Sequence, residues 1–229
     1  MGLLDLFFPK YCVACKKLGQ YICDACFARL SFDVPELCLV CDKPAISGIT
    51  HPVCKTSYAI DGSFSGLFYN KTARKLLYAF KYKPYVSDLS EILGQLLHEA
   101  LLQKETYHKV LLQKPFFVPI PLHSSRFRQR GYNQAKIIAQ ELAKREQLVV
   151  YELLSRVKKT TSQVGKTKKD REENIKGAFS LVPNILVSLY PNILLIDDVL
   201  TSGATFLEAA KILKKAGAKQ VWGVSLFRD

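Results

Sequence analysis

The sequence predicts an α/β domain built on a parallel sheet, preceded by a small cysteine-rich module. Three observations predict it. All seven cysteines lie between Cys12 and Cys54. A continuous apolar, β-prone run at 193–196 ends in two aspartates, a turn of small residues and an amphipathic helix. Between these ends, short strand-like segments alternate with helical ones, the pattern of a sheet whose crossovers are helices.

The cysteines come as Cys12/Cys15, Cys23/Cys26 and Cys38/Cys41, and His51-x-x-Cys54 closes the series. A two-residue spacer lets both side chains of a pair face one cation, and zinc takes four such ligands in a tetrahedron. Pairing neighbours makes one site of Cys12, Cys15, Cys23 and Cys26 and a second of Cys38, Cys41, His51 and Cys54. An interleaved pairing is equally open to the spacing, and the second ion depends on His51. Disulfides fit poorly with an odd count, and a redox pair needs one Cys-x-x-Cys rather than three. Few apolar residues accompany each knuckle, so one or two structural Zn2+ ions supply the folding energy here.

Beyond a boundary near 57–62 (modules 1–58 and 59–229) the elements read in order. A strand is expected at 63–69, helices at 72–81 and 88–103, and a short strand at 117–121 whose prolines end its ladder. A loop carrying His123, Arg126, Arg128 and Arg130 follows, then a helix at 133–146. Residues 156–174 are long, polar and interrupted by glycine, and read as a loop before a strand at 177–182. The buried strand 193–196 leads to the turn Thr201-Ser-Gly-Ala-Thr205, a helix at 206–216 ended by Gly217, and a last strand at 221–227.

The chain has 229 residues, with 48% hydrophobic and 23% charged, which excludes disordered and fibrous classes. No apolar run approaches the roughly 18–20 residues of a membrane span. The first residues lack a basic segment and carry Asp5, against a secretory signal, and Leu6 is not a myristoylation residue. A cytoplasmic protein is expected. The net charge of +13 is concentrated after residue 58. Basic runs at 126–136 and 156–176 are solvated faces if taken singly. Flanking a phosphate-type turn, they favour a polyanion: nucleic acid, nucleotide or pyrophosphate.

That turn carries the chemistry. Amides at a helix start are unpaired and sit at the positive end of its dipole, so they bind phosphate. The hydroxyls of Thr201, Ser202 and Thr205 add donors. Asp197 and Asp198 would repel the same anion, so they suit vicinal ribose hydroxyls or a Mg2+ ion; the alternative is that Asp197 caps the turn and Asp198 is solvated.

Leu195-Ile-Asp-Asp-Val-Leu-Thr-Ser-Gly-Ala-Thr205 closely resembles the phosphoribosyl-pyrophosphate (PRPP) signature of type I phosphoribosyltransferases. Val118-Pro-Ile-Pro-Leu-His123, Arg126, Arg130-Gly-Tyr-Asn-Gln134, Arg171-Glu-Glu-Asn174 and Gly177-Ala-Phe179 are similar to motifs of the ComF family, late competence proteins of bacterial DNA uptake. With the cysteine module in front, the resemblance covers essentially the whole chain. It implies a type I phosphoribosyltransferase-like, Rossmann-like fold behind an N-terminal zinc ribbon, with PRPP and Mg2+ as ligands. By that resemblance Asp197 and Asp198 hold the ribose diol, and Thr201, Ser202, Gly203, Ala204 and Thr205 the 5′-phosphate. The 123–130 loop holds the pyrophosphate through His123, Arg126 and Arg130, and the 156–174 segment is a mobile lid from which Lys158, Lys166 and Arg171 reach the anion.

The family also implies competence and transformation, contact with single-stranded DNA, a ComFA-type ATP-dependent DNA translocase or helicase as partner, and recruitment to a membrane-bound uptake machinery without insertion. Lys83, Arg128, Lys166, Lys168 and Lys169 are the nucleic-acid candidates. A metabolic phosphoribosyltransferase, displacing pyrophosphate from ribose C1 with a small acceptor, is the alternative. A PRPP sensor that regulates nucleic-acid binding is a third.

Overall fold

The computed structural model describes residues 9–82, 87–160 and 167–229. The candidates Lys83 and Lys166, and the side chains of Lys168 and Lys169, lie outside that description.

Among its described residues the cysteine-rich segment contains one short α-helix, α1 (Asp24–Phe27), and two 3-10 turns, Ile46–Gly48 and Pro52–Cys54. The body follows as β1 (Gly62–Phe68), α2 (Lys71–Tyr82), α3 (Ser87–Leu102), α4 (Glu105–Leu111) and β2 (Phe116–Pro119). Next come α5 (Ser124–Arg130), α6 (Gln134–Glu146), β3 (Leu154–Arg156), α7 (Lys168–Ile175) and β4 (Phe179–Leu181). The chain then forms β5 (Asn192–Leu200), α8 (Ala204–Lys215) and β6 (Gln220–Arg228).

Four strands make one parallel sheet in the order β1-β6-β5-β2, with Gly62 opposite Trp222, Asn192 opposite Gln220 and Phe116 opposite Ile193. Strands β3 and β4 pair separately as an antiparallel ribbon. The 193–196 run of β5 is apolar without interruption because both of its faces are covered. Leu194 and Ile196 join a core with Phe64, Leu93, Ile138 and Trp222, under α3 and α6. Ile193 and Leu195 face the other way, into a core with Val118, Phe206, Leu213 and Val221 under α8. Where β6 and β1 carry serines opposite each other, Ser225 and Ser65 share a hydrogen bond of 2.7 Å inside the sheet.

The cysteine-rich segment rests on the body. Ala14, Ile22 and Leu30 share a core with Leu76, Leu77 and Phe80 of α2. Lys75 Nζ donates to the Ala14 carbonyl at 2.6 Å and Asn70 Nδ2 to that of Arg29 at 2.7 Å.

Several elements differ from expectation. β5 runs on to Leu200, because pairing with β6 continues through Asp197–Ser225 to Leu200–Arg228; both aspartates therefore sit on a hydrogen-bonded strand. The expected loop at 123–130 is instead the helix α5. His123 caps its first turn, accepting from the Ser125 amide at 3.3 Å, and Gly131 ends it at φ 79, a conformation that costs glycine little. The polar stretch after Arg156 contains α7, started by a reciprocal capping box between Thr167 and Asp170. α4 was not legible; Tyr107 and Val110 hold it by burial.

Candidate functional site

The sulfur and imidazole groups gather in two sets. Cys12, Cys15, Cys23 and Cys26 form one and Cys38, Cys41, His51 and Cys54 the other, with the ligand atoms of each set within 4.8 Å of one another. Neighbouring knuckles thus pair, and the interleaved arrangement is absent. In the first set Cys15 Sγ lies 3.5 Å from Cys23 Sγ. In the second, His51 Nδ1 lies 3.3 Å from Cys41 Sγ, while His51 Nε2 lies 3.0 Å from the Pro44 carbonyl. A carbonyl there holds a proton on Nε2 and leaves Nδ1 free to ligate.

The acidities fit a cation. Burial raises the Cys12 thiol, but the amides of Cys23, Cys15 and Ala14 outweigh it and bring it down to about 6. Burial and the surrounding sulfurs push Cys26 up to about 12. In the second set Cys38 is lowered, where the backbone N–H groups of His51, Cys41 and Val40 outweigh burial. Cys54 is raised to about 11 by desolvation and the neighbouring thiols. Opposed shifts are what several acids crowded on one point produce, and a divalent cation relieves them by taking its ligands as thiolates. Three thiols with an imidazole, or four thiols, is a closed structural zinc set.

The second feature is a cavity of about 640 Å3 at the C-terminal ends of the parallel strands. β2 sends its following helix α6 to one face of the sheet and β5 sends α8 to the other. Adjacent strands that part their helices in this way leave a crevice between them, where ligands bind in open α/β sheets. Six basic residues line it, Arg74, Lys81, Arg126, Arg130, Arg156 and Arg171, with Asp197, Asp198 and Asp229.

Asp197 Oδ1 accepts from the Asp198 amide at 2.8 Å, and Asp198 Oδ1 lies 3.0 Å from Lys81 Nζ. Burial first, and the Asp198 charge second, push the Asp197 carboxyl up to about 7, against the pull of the Asp198 amide, Lys81 and Arg156. The turn after β5 opens into α8, whose start is Gly203 at φ 75 with no side chain capping it. Its first amides are free of intrahelical partners, and among the described residues no side chain caps them. Thr201 and Thr205 line the cavity beside them.

The opposite wall carries the arginines. Arg126 and Arg130 lie one turn apart on α5 and both face the cavity, whereas Arg128, between them, is exposed. Arg130 Nη1 donates to Gln134 Oε1 at 2.9 Å and Nη2 to the Tyr82 hydroxyl at 3.0 Å. Arg156 stacks over the Phe179 ring at 5.3 Å and gives Nη2 to Thr160 Oγ1 at 2.6 Å. Burial, then the Arg126 cation, lowers its basicity, and Asp197 partly restores it. The Nε–H groups of Arg130, Arg156 and Arg171 and the Nε2 amide of Gln134 are buried, and none has a hydrogen-bond partner among the described residues. Buried donors without acceptors are costly, and four of them surround this one cavity, a set that could take a multiply charged oxyanion.

The expected residues divide accordingly. Asp197, Asp198, Thr201, Thr205, Arg126, Arg130 and Arg171 line one cavity, and Ser202, Gly203 and Ala204 form the adjoining turn. His123 spends its ring on the α5 cap and is not part of the lining. Lys158 is exposed and donates to the Lys176 carbonyl at 3.3 Å. Lys81, Tyr82, Gln134 and Arg156 line the cavity without having been singled out in the sequence, where Lys83 was the candidate nearest to Lys81.

Among the described residues no helix is long and apolar enough to cross a membrane. Residues 3–57 match the double zinc ribbon domain. The chain is 36% identical to "Competence protein F" of Haemophilus influenzae over 140 residues, which is 60% of this chain and 61% of that relative's length. It is 29% identical to "Competence protein ComFC" of Bacillus subtilis, covering 93% of this chain and 86% of the relative. Against "DNA utilization protein YhgH" of Escherichia coli the identity is 28%, covering 93% and 96%. Two zinc-ligand sets, the double-ribbon match and the ComFC relatives along nine-tenths of its length make the chain similar to the ComF competence proteins.

Proposed function

We propose that this protein serves DNA uptake by binding PRPP in the cavity at the end of β5, with Mg2+, while its basic body contacts single-stranded DNA and its ribbon docks a ComFA-type DNA translocase. One observation carries the ligand assignment: a carboxylate pair, an uncapped helix start and four unpartnered buried donors converge on a single cavity. PRPP has a group for each. Its 5′-phosphate suits the amides and hydroxyls of 201–205. Its vicinal diol suits Asp197 and Asp198, which then need no second anion beside them. Its pyrophosphate suits the forked donors of Arg126, Arg130, Arg156 and Arg171. Mg2+ would neutralise the pyrophosphate near the acids. The relatives' names, competence and DNA-utilization proteins, support the cellular role.

The test is stabilisation by PRPP with Mg2+. At a hundred times its dissociation constant a ligand adds about 2.7 kcal/mol, some 5–10 °C in Tm for a chain of this size. An Asp197→Ala/Asp198→Ala double variant should lose that shift, and an undiminished shift would remove the site. For DNA, affinity for a fluorescent oligonucleotide should fall steeply with salt. Absence of binding at low salt would leave only a role through partners.

A further inference from the structure

The ribbon reaches the 201–205 turn through Leu39. A Cβ placed on Gly203 would stand 3.3 Å from Leu39 Cδ2 and 3.4 Å from Leu39 Cβ, so the leucine lies flat against the bare Cα of the turn. Leu39 is 1% exposed and shares a core with Leu200, Ala204 and Phe206, the residues bracketing that turn. Among residues 9–57 it is the one that joins this core; the first knuckle's Cys12, Ala14, Ile22 and Leu30 join the other. Leu39 follows Cys38 directly, inside the Cys38/Cys41 knuckle of the second metal set. Its backbone is held there by the Cys38 amide on the Lys43 carbonyl at 3.0 Å and the Asp42 amide on the Cys38 carbonyl at 2.8 Å.

We infer that Leu39 is a positioning residue through which the second zinc knuckle holds the 201–205 turn in its anion-binding form. Gly203 at φ 75 has no side chain to fix it from within. Glycine is the freest residue of the backbone, and its entropy in the open turn must be suppressed from outside. Leu39 supplies the surface, and the ligands on either side of it, Cys38 and Cys41, supply the rigidity. Coupling between sites is reciprocal, so an anion on the turn must tighten the second metal site by the factor by which that site tightens the anion. As regards PRPP, this rests on the function proposed above; as regards the turn, it does not.

The experiment compares the full chain with Leu39→Ala and Leu39→Val, using zinc content, hydrogen exchange of the 201–205 amides, PRPP affinity and the rate at which a chromogenic chelator withdraws each zinc. Both variants should keep two zincs per chain. Exchange should rise about tenfold at 201–205 in Leu39→Ala and less in Leu39→Val, with the sheet unchanged. PRPP affinity should fall in step, and saturating PRPP should slow release of one of the two zincs from the parent chain. Should Leu39→Ala fail to fold, Leu39→Val gives the reading. Unchanged exchange at 201–205, exchange raised evenly along the chain, or loss of a zinc in Leu39→Val overturns the inference. If PRPP fails to bind the parent chain, the proposed ligand falls and the exchange comparison still decides the role of Leu39.

Discussion

Lys81 Nζ and Asp198 Oδ1 stand 3.0 Å apart, joining the last turn of α2 to the end of β5 across the floor of the cavity. The side chains are 20% and 13% exposed, so water screens the pair weakly. The lysine keeps two adjacent carboxylates tolerable in the same small space. Removing it leaves them facing each other.

Lys81→Met should therefore destabilise the chain by about 1–3 kcal/mol near neutral pH, and Asp198→Asn in the same chain should restore part of that. Urea unfolding of the two single variants and the double variant at pH 7.5 measures it. Additive losses would show that the two groups do not interact.

Asp197 sets the pH dependence. Its carboxyl rises from its ordinary 3.8 to about 7 in the folded chain, so between those values the folded state holds a proton that the unfolded state has released. Stability from this group is therefore full at acid pH and declines as pH climbs from about 4 to about 7. Asp197→Asn should flatten that decline and raise Tm at pH 8 by a few degrees. In the parent chain PRPP affinity should increase from pH 6 to pH 8 as the carboxylate ionises, and this group's share should be missing from Asp197→Asn. Identical profiles for the two proteins would place the titration elsewhere.

The arginines separate from the lysines around them. Arg156→Ala and Arg171→Ala should each weaken PRPP binding about 10–100-fold, and lysine at either position should recover little, because a point charge replaces a fork. Lys158→Ala should change it less than twofold, since Lys158 lies on the surface with its ammonium on the Lys176 carbonyl. Titration calorimetry would show a reversed order if Lys158 rather than the arginines met the anion.

Metal analysis should return two zincs per chain. Cys26→Ser should lose one, and His51→Ala should lose or loosen the other, each with unfolding of the ribbon around it. A content unchanged by both substitutions would contradict the ligand sets.

Much of this was legible in advance where two constraints coincide in one short segment. From Ile193 to Thr205, burial on both faces and phosphate chemistry demand particular residues in sequence, and the strand, turn and helix follow. The cysteine knuckles were plain for the same reason, although only folding showed which knuckles pair. α5 was read as a loop because Ser-Ser-Arg-Phe-Arg-Gln-Arg has no apolar stripe; a cap before it and a left-handed glycine after it define the helix instead. Lys81, Gln134 and Arg156 were missed because each belongs to a different element, and the cavity exists only once α2, α6 and β3 have been brought to the end of β5. Long-range assembly leaves no local pattern to read.

The strand order has a consequence for the nascent chain. β6 lies between β1 and β5, so β1, made first of all the strands, waits for the one made last before it has a strand neighbour in the sheet. Such distant pairing is slow, and its unsatisfied edge is exposed meanwhile to other chains. The ribbon has no such delay: its ligands are complete by Cys54. During translation the metal-bound knuckles can therefore form early and shelter α2, while the sheet remains open until Gln220–Arg228 leaves the ribosome. A variant shortened before Gln220 should bind zinc but leave β1 without a strand partner, prey to proteolysis rather than merely less active.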